Sequence, residues 1–211
     1  GVHLSRLAEA LILFSTAEFG FVQLSDAYST GSSLMSQKKN PDPLELTRGK
    51  AGTLIGLLTG LLATLKATPS AYDKDLQEDK APVFQACDTL LMMLPVMSGL
   101  LESLAIEPKA MAAALDPSML ATELADDLVR RGVPFRTAHS LIGQVVRKAS
   151  ELNLPLDRLP SEHLQAVSPV FGPVDQQVFD FRAAVERRNA SGGTAARAVE
   201  EQLQQAKSLL K

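Results

Sequence analysis

Cysteine is nearly missing: Cys87 stands alone among 211 residues, which excludes an internal disulfide framework and a cysteine-rich zinc site. It is expected as a small buried apolar residue in a reducing compartment. An excess of positive charge is missing too, with 21 Lys and Arg against 24 Asp and Glu and a net charge of −3, so no global field draws in nucleic acid or an anionic membrane. Any anion has to be met locally. The apolar segment Leu54–Leu65 is bracketed by Lys50 and Lys66, too closely for a bilayer span of about 20 residues; it reads as a core helix. Strand alternation of useful length is absent, and so is a cleavable signal pattern. There is no initiating Met and no capping residue ahead of His3-Leu4-Ser5-Arg6-Leu7, so the chain is expected to be a fragment that opens inside a helix.

What is present is helical periodicity. Leu4, Leu7, Leu11, Phe14, Ala17 and Phe21 recur at steps of three and four, which predicts a first helix from Leu4 to about Leu24. Residues 25–41 break the pattern with Ser, Thr, Gly, Asn and Pro and read as a long ordered loop. A second helix starts at Asp42-Pro43, with the Asp42 carboxylate expected to cap the Glu45 amide and Glu45 completing a capping-box spacing. It runs to Pro69, and Gly52, Gly56 and Gly60 leave one side bare for the close approach of another helix. The polar connection Ser70–Lys80 leads to a third helix from near Pro82 to about Ala105, kinked by Pro95 and apolar on nearly every side. Such a helix should be buried all round, in a bundle larger than this chain, with the methionines as core filling.

Beyond about Lys109 the texture changes to short helices separated by Pro and Gly. One starts at Asp116-Pro117 and stops at Gly132. The next covers Phe135–Asn153 with Ala138, Ile142, Val145, Val146 and Ala149 inward, a short one opens at Ser161, and a last one spans Thr194–Lys211. The fold class is therefore all-α: a long-helix bundle over 1–109, holding the loop, and a smaller helical domain over 110–211.

The loop Gly31-Ser32-Ser33-Leu34-Met35-Ser36-Gln37-Lys38-Lys39-Asn40-Pro41 carries the chemistry. Two hydroxyls lie near two cations and an amide, and the backbone donors of a Gly-Ser turn can form an anion nest, so the loop can hold a carboxylate. On composition alone a solvated surface loop is the equal alternative. The stretch resembles the GSSxMPxKxNP signature of the fumarase/aspartase superfamily at every fixed position except Ser36, where that superfamily has Pro. The flanks Gln23–Thr30 and Tyr72–Lys80, with Gly192-Gly193-Thr194-Ala195, are similar to argininosuccinate lyase and to the delta crystallins derived from it. The resemblance spans nearly the whole chain.

It implies an L-aspartase/fumarase-type bundle and a cofactor-free, metal-free anti elimination that releases arginine and fumarate from argininosuccinate. Ser32 is implied as the base, with Lys38 and Asn40 neutralising the carboxylate on which charge builds. Lys38 and the amides of 31–33 would also lower the cost of the Ser32 alkoxide. Ser33, Met35, Gln37, Tyr72, Gln77 and Lys80 are implied as substrate-binding residues. Apart from the resemblance, Tyr72–Lys80 reads as a solvated charged linker. Glu45 is implied to orient a catalytic histidine. That histidine is expected upstream, because His3, His139 and His163 sit in helical contexts and read as structural. A cytoplasmic homotetramer with active sites assembled from three subunits is implied, with no nucleic-acid or membrane partner. A non-catalytic delta-crystallin-like homologue, or another lyase such as one acting on adenylosuccinate, is the alternative. Ser36 is expected either to loosen the loop ahead of the lysine pair or to be tolerated with altered closure kinetics, with reduced or normal activity in the intact enzyme.

Overall fold

The computed structural model describes residues 1–31, 39–171 and 176–210, and it is built almost wholly of helices joined by short turns. Two compact units are present, Gly1–Ala114 and Leu115–Lys211.

In the first unit, α1 (Val2–Ser15), α2 (Asp42–Leu65) and α3 (Lys80–Glu102) are the long elements. Helix α1 stops short of the limit that its apolar spacing suggests. The Ser15 hydroxyl donates to the Ile12 carbonyl at 2.9 Å and the Thr16 hydroxyl to Leu13 at 2.9 Å, competing with the helical ladder. The chain then folds back, so that the Phe21 amide donates to Phe14 at 2.9 Å and the rings of Phe14, Phe19 and Phe21 gather within 5.3–6.3 Å. Phe21, expected on the helix, instead closes this aromatic turn.

Helix α1 packs on α2, and α2 on α3. Their shared core holds Ala8, Leu11, Leu44, Met97 and Leu100, with Leu44 and Leu100 almost completely buried. Two minimal ladders tie the connections: β1 (Val22–Gln23) with β4 (Ala105–Ile106), and β2 (Thr30–Gly31) with β3 (Lys39–Asn40), both antiparallel. A short helix α4 (Pro108–Ala113) follows β4.

The structure corrects four expectations here. The side chain of Asp42 makes no cap; the Pro41 carbonyl accepts the amides of Leu44 at 2.9 Å and Glu45 at 3.0 Å instead. Helix α3 buries only Thr89, Met93, Met97 and Leu100, while Leu91 and Phe84 remain 70% and 64% exposed, because within this unit only one side of the helix is covered. Cys87 is exposed. A Cβ built on Gly52, Gly56 or Gly60 meets nothing within 4 Å, so none of the described helices uses the bare side of α2.

In the second unit, a 3-10 turn at Pro117–Leu120, started by the Asp116 carboxylate on the Ser118 amide at 2.8 Å, leads into α5 (Ala121–Arg130). Gly132, at φ +92°, ends that helix. Its amide bonds the Val129 carbonyl at 2.9 Å and the Val133 amide bonds Leu128 at 3.0 Å, the paired closure that a left-handed residue permits. Helix α6 (Phe135–Glu151) buries Ala138, Ile142, Val145 and Ala149 against α5 and α7 (Ser161–Val167). Val146, expected inward, sits at the edge and is 37% exposed.

Leu124, Leu128, Ile142, Val145 and Phe171 anchor this separate core. Glu123 is buried and bound by Arg187 at 2.7 Å and by Arg188. That pair fastens the end of α8 (Phe181–Glu186) to α5. Between Arg188 and α9 (Ala196–Leu209), the Ala195 amide donates to the Arg188 carbonyl at 3.1 Å, so Gly192–Ala195 forms a tied turn.

Candidate functional site

The residues that flank the signature segment form a braced stem. Thr30 stands opposite Asn40 and Gly31 opposite Lys39 in the β2–β3 ladder. The Thr30 hydroxyl donates to the Asp42 carboxylate, tying β2 to the first residue of α2. Lys39 donates to Asp26 in the preceding 3-10 turn, Asp26–Tyr28. The hydrogen bond and charge of Lys39 hold the Asp26 carboxyl below the ordinary aspartate range. Of the two adjacent lysines, Lys39 is therefore engaged with an aspartate of its own stem. Asn40 is half-buried at the end of β3. A cleft of about 350 Å³ opens beside it, bordered by Val22, Gln23, Lys39 and Pro41. Ser32, Ser33, Met35, Gln37 and Lys38, singled out in the sequence, lie outside the described residues.

A second group forms where α2 gives way to α3. The Gln77 amide donates to the Tyr72 hydroxyl, and the 3-10 turn Lys74–Asp79 passes directly into α3 at Lys80. Lys80 bonds the Asp79 carboxylate at 2.9 Å, which raises its ammonium above the ordinary lysine range. The stretch that composition alone presents as a linker is thus an ordered turn that brings Tyr72 and Gln77 into contact one step before Lys80. All three side chains reach solvent. A carboxylate arriving there would find the Lys80 ammonium, shared with Asp79, and the Gln77 amide N–H that Tyr72 does not take.

The two groups do not meet in this chain. Helix α2 is 24 residues long, and at about 1.5 Å per residue it spans roughly 36 Å. Asn40 and Glu45 stand at its first turn and Tyr72, Gln77 and Lys80 beyond its last. With its capping role absent, the exposed Glu45 carboxylate is left facing solvent.

Sequence reasoning missed the residues that brace the stem. Asp26 and Thr30 lie in the stretch already similar to known enzymes, yet their partners depend on a ladder register that two-residue strands do not announce. Tyr28 was also passed over. Its ring packs beside the first core and its hydroxyl reaches Gly99 of α3. The only available signal was Gly99 itself, a glycine inside the last turn of α3, where one is not needed unless something approaches closely. Among the described residues, no three His, Cys, Asp or Glu side chains gather as metal ligands.

Comparison with known proteins places these features among lyases. Residues 118–186 match a family model described as argininosuccinate lyase C-terminal, and residues 1–56 match one described as lyase. An argininosuccinate lyase from Roseiflexus sp. (strain RS-1) is 58% identical over 207 residues, which is 98% of this chain and 46% of that protein. One from Herpetosiphon aurantiacus is 54% identical over 210 residues, 100% of this chain and 46% of that protein. The chain thus spans about half the length of the curated relatives that it matches. Among solved structures, a variant of EDDS lyase with bound fumarate superposes with a TM-score of 0.81 at 27% identity, covering 99% of this chain and 44% of that one.

Proposed function

Because the chain belongs to the argininosuccinate lyase family, we propose that the whole protein is a carbon–nitrogen lyase that cleaves argininosuccinate to arginine and fumarate, and that this chain supplies two of its substrate-facing surfaces. The observation that carries the reading is the identity of 58% over 98% of the chain with an argininosuccinate lyase. The similar EDDS lyase variant holds fumarate, the product expected here.

In the proposed reaction Ser32 removes the proton beside a substrate carboxylate, and the electron pair delocalises onto that carboxylate. Lys38 and Asn40 meet the growing charge, an interaction stronger in the transition state than in the ground state. The carbon–nitrogen bond then breaks, an acid protonates the departing guanidino nitrogen, and arginine and fumarate separate. The stem supports this role: its braces tie the residues on both sides of the segment bearing Ser32 and Lys38 to α2 and to each other. The Lys39–Asp26 pair leaves Lys38 as the cation assigned to substrate. Ser33, Met35 and Gln37 complete the loop's contacts. Glu45 orients a histidine supplied by another part of the assembly.

Tyr72, Gln77 and Lys80 bind the far end of the substrate, with Lys80 on a carboxylate. Since α2 holds them apart from Asn40, each would serve a different pocket, which favours active sites composed of several copies in a homotetramer. The exposed apolar faces of α2 and α3, including Ile55, Leu58, Leu62, Phe84 and Leu91, are of the kind that pack between subunits. The stretch Lys74–Glu102 is long and apolar enough to cross a membrane by length and composition. Its packing against α2, where the Met97 sulfur meets the Thr47 hydroxyl, supports a bundle helix in a cytoplasmic enzyme instead.

The test is steady-state assay of the full-length protein on argininosuccinate, following fumarate by its ultraviolet absorbance, with Ser32→Ala in parallel. Turnover that Ser32→Ala abolishes while leaving assembly intact is expected. A wild-type protein with no turnover, or a Ser32→Ala variant as active as wild type, would overturn the assignment.

A further inference from the structure

We propose that Tyr28, seated against Gly99 of α3, is a positioning residue for the stem that carries Asn40. Its catalytic consequence rests on the lyase reading above; its structural consequence does not.

The contact is close enough to require glycine. A Cβ at position 99 would lie 2.9 Å from the Tyr28 Cζ and nearer still to its hydroxyl oxygen. Movement of the ring is opposed by the core of Ala8, Leu11, Leu44, Met97 and Leu100, against which it is partly buried. Gly99 lies in the last turn of α3, where glycine costs at most about 1 kcal/mol against alanine; the approach of the ring supplies the compensating contact.

One turn of α3 further on, a second contact holds the same 3-10 turn. The Ser25 hydroxyl donates to Ser103 at 3.1 Å, and Ser103 donates to the Gly99 carbonyl at 2.9 Å. The Tyr28 amide closes on the Ser25 carbonyl at 3.0 Å, and the Ser29 hydroxyl bonds the same carbonyl at 3.0 Å. The turn is thereby clamped at both ends to the last turns of α3. Two residues later the chain pairs Thr30 with Asn40. Ser29 is the one residue between, and its hydroxyl is already bound, so a shift of Tyr28 is passed to Thr30 and to its partner.

Displacing a reacting group by about 1 Å costs up to roughly 100-fold in rate. Tyr28 thus acts at a distance from substrate, by fixing where the Asn40 amide stands.

The experiment uses the full-length protein with Gly99→Ala, Tyr28→Ala, and Gly99→Ala combined with Tyr28→Phe, which removes the oxygen that the added methyl meets first. Hydrogen exchange is followed at the amides of residues 29–31 and 39–40, with those of residues 53–60 of α2 as reference. Both single variants are expected to speed exchange in the stem by about tenfold while the α2 reference is unchanged, a local opening rather than global loss. The combined variant should restore part of the protection, because the Cζ carbon 2.9 Å from the added methyl remains. In the assay, Gly99→Ala should lower kcat about tenfold with KM held within about twofold, and adding Tyr28→Phe should recover part of kcat. Stem exchange that stays at the wild-type rate, or that rises equally at residues 53–60, overturns the proposal, as does a combined variant no better protected than Gly99→Ala. Stem exchange that responds as expected in a protein without lyase turnover would sustain the positioning role and overturn the lyase assignment.

Discussion

The Thr30 hydroxyl donates to the Asp42 carboxylate, 12 residues further along the chain. Asp42 remains the first residue of α2, and that bond makes its carboxylate a brace for the stem rather than a cap. A residue type chosen for capping and one chosen for bracing are the same, and only the fold separates the roles.

Removing the hydroxyl isosterically isolates this brace. Thr30→Val is expected to cost about 0.5–1.5 kcal/mol locally, read as faster exchange at residues 30 and 40. Activity of the full-length protein should fall several-fold through kcat. Unchanged exchange and unchanged kcat would show that the bond carries no positional information.

Asp26 should titrate below the ordinary aspartate value of 3.8 because Lys39 donates to it. The folded value is the depressed one, so the brace is complete above the unfolded value and is lost as pH falls through the folded value. A side-chain carboxyl titration by NMR should place its midpoint under 3.8, and Lys39→Gln should move it upward. A midpoint that ignores Lys39→Gln would remove the pair from the stem. Both groups are exposed, so the effect belongs to local order rather than to global stability.

Two leucines of the first unit should behave in opposite ways. Leu44 is fully buried, and Leu44→Ala is expected to cost about 2–5 kcal/mol wherever the chain is folded. Leu91 is 70% exposed here, so Leu91→Glu should leave helicity intact yet shift the full-length protein to smaller species in light scattering. An assembly indifferent to a charge at 91 would place this face outside the subunit contact.

Glu123 is 1% exposed between two arginines. Glu123→Gln keeps the shape and removes the charge, leaving Arg187 and Arg188 facing a neutral amide. Opening of α8, measured by exchange at residues 183–186, is expected to become easier by about 1–3 kcal/mol. Equal protection in variant and wild type would mean that the arginines are satisfied by solvent.

Much of the helical plan was legible because it depends on local signals. Gly132 ends α5, the Asp116 side chain starts its turn, and Ala138, Ile142, Val145 and Ala149 point inward, each as spacing and chemistry require. The failures have two causes. The limit of α1 was set by hydroxyls of Ser15 and Thr16 competing for carbonyls within an apolar pattern that continued past them. The exposure of Leu91 and of the glycine face of α2 depends on what covers them, and no periodicity encodes a neighbour. The same holds at the site. The contact between Tyr72 and Gln77 follows from a tight turn in a polar stretch, and the approach of Tyr28 to Gly99 joins residues far apart in the chain.

Helix α2 also acts as a ruler. Substitutions at its exposed positions leave the spacing untouched, whereas its residue count sets it: inserting four residues would leave every named donor and acceptor intact while pushing one group about 6 Å along the axis and turning it by some 40°. Away from the buried Leu44, Thr47 and Ala51, this helix is therefore held to its length more than to its letters, and an insertion there would disable the protein without touching a single reactive atom.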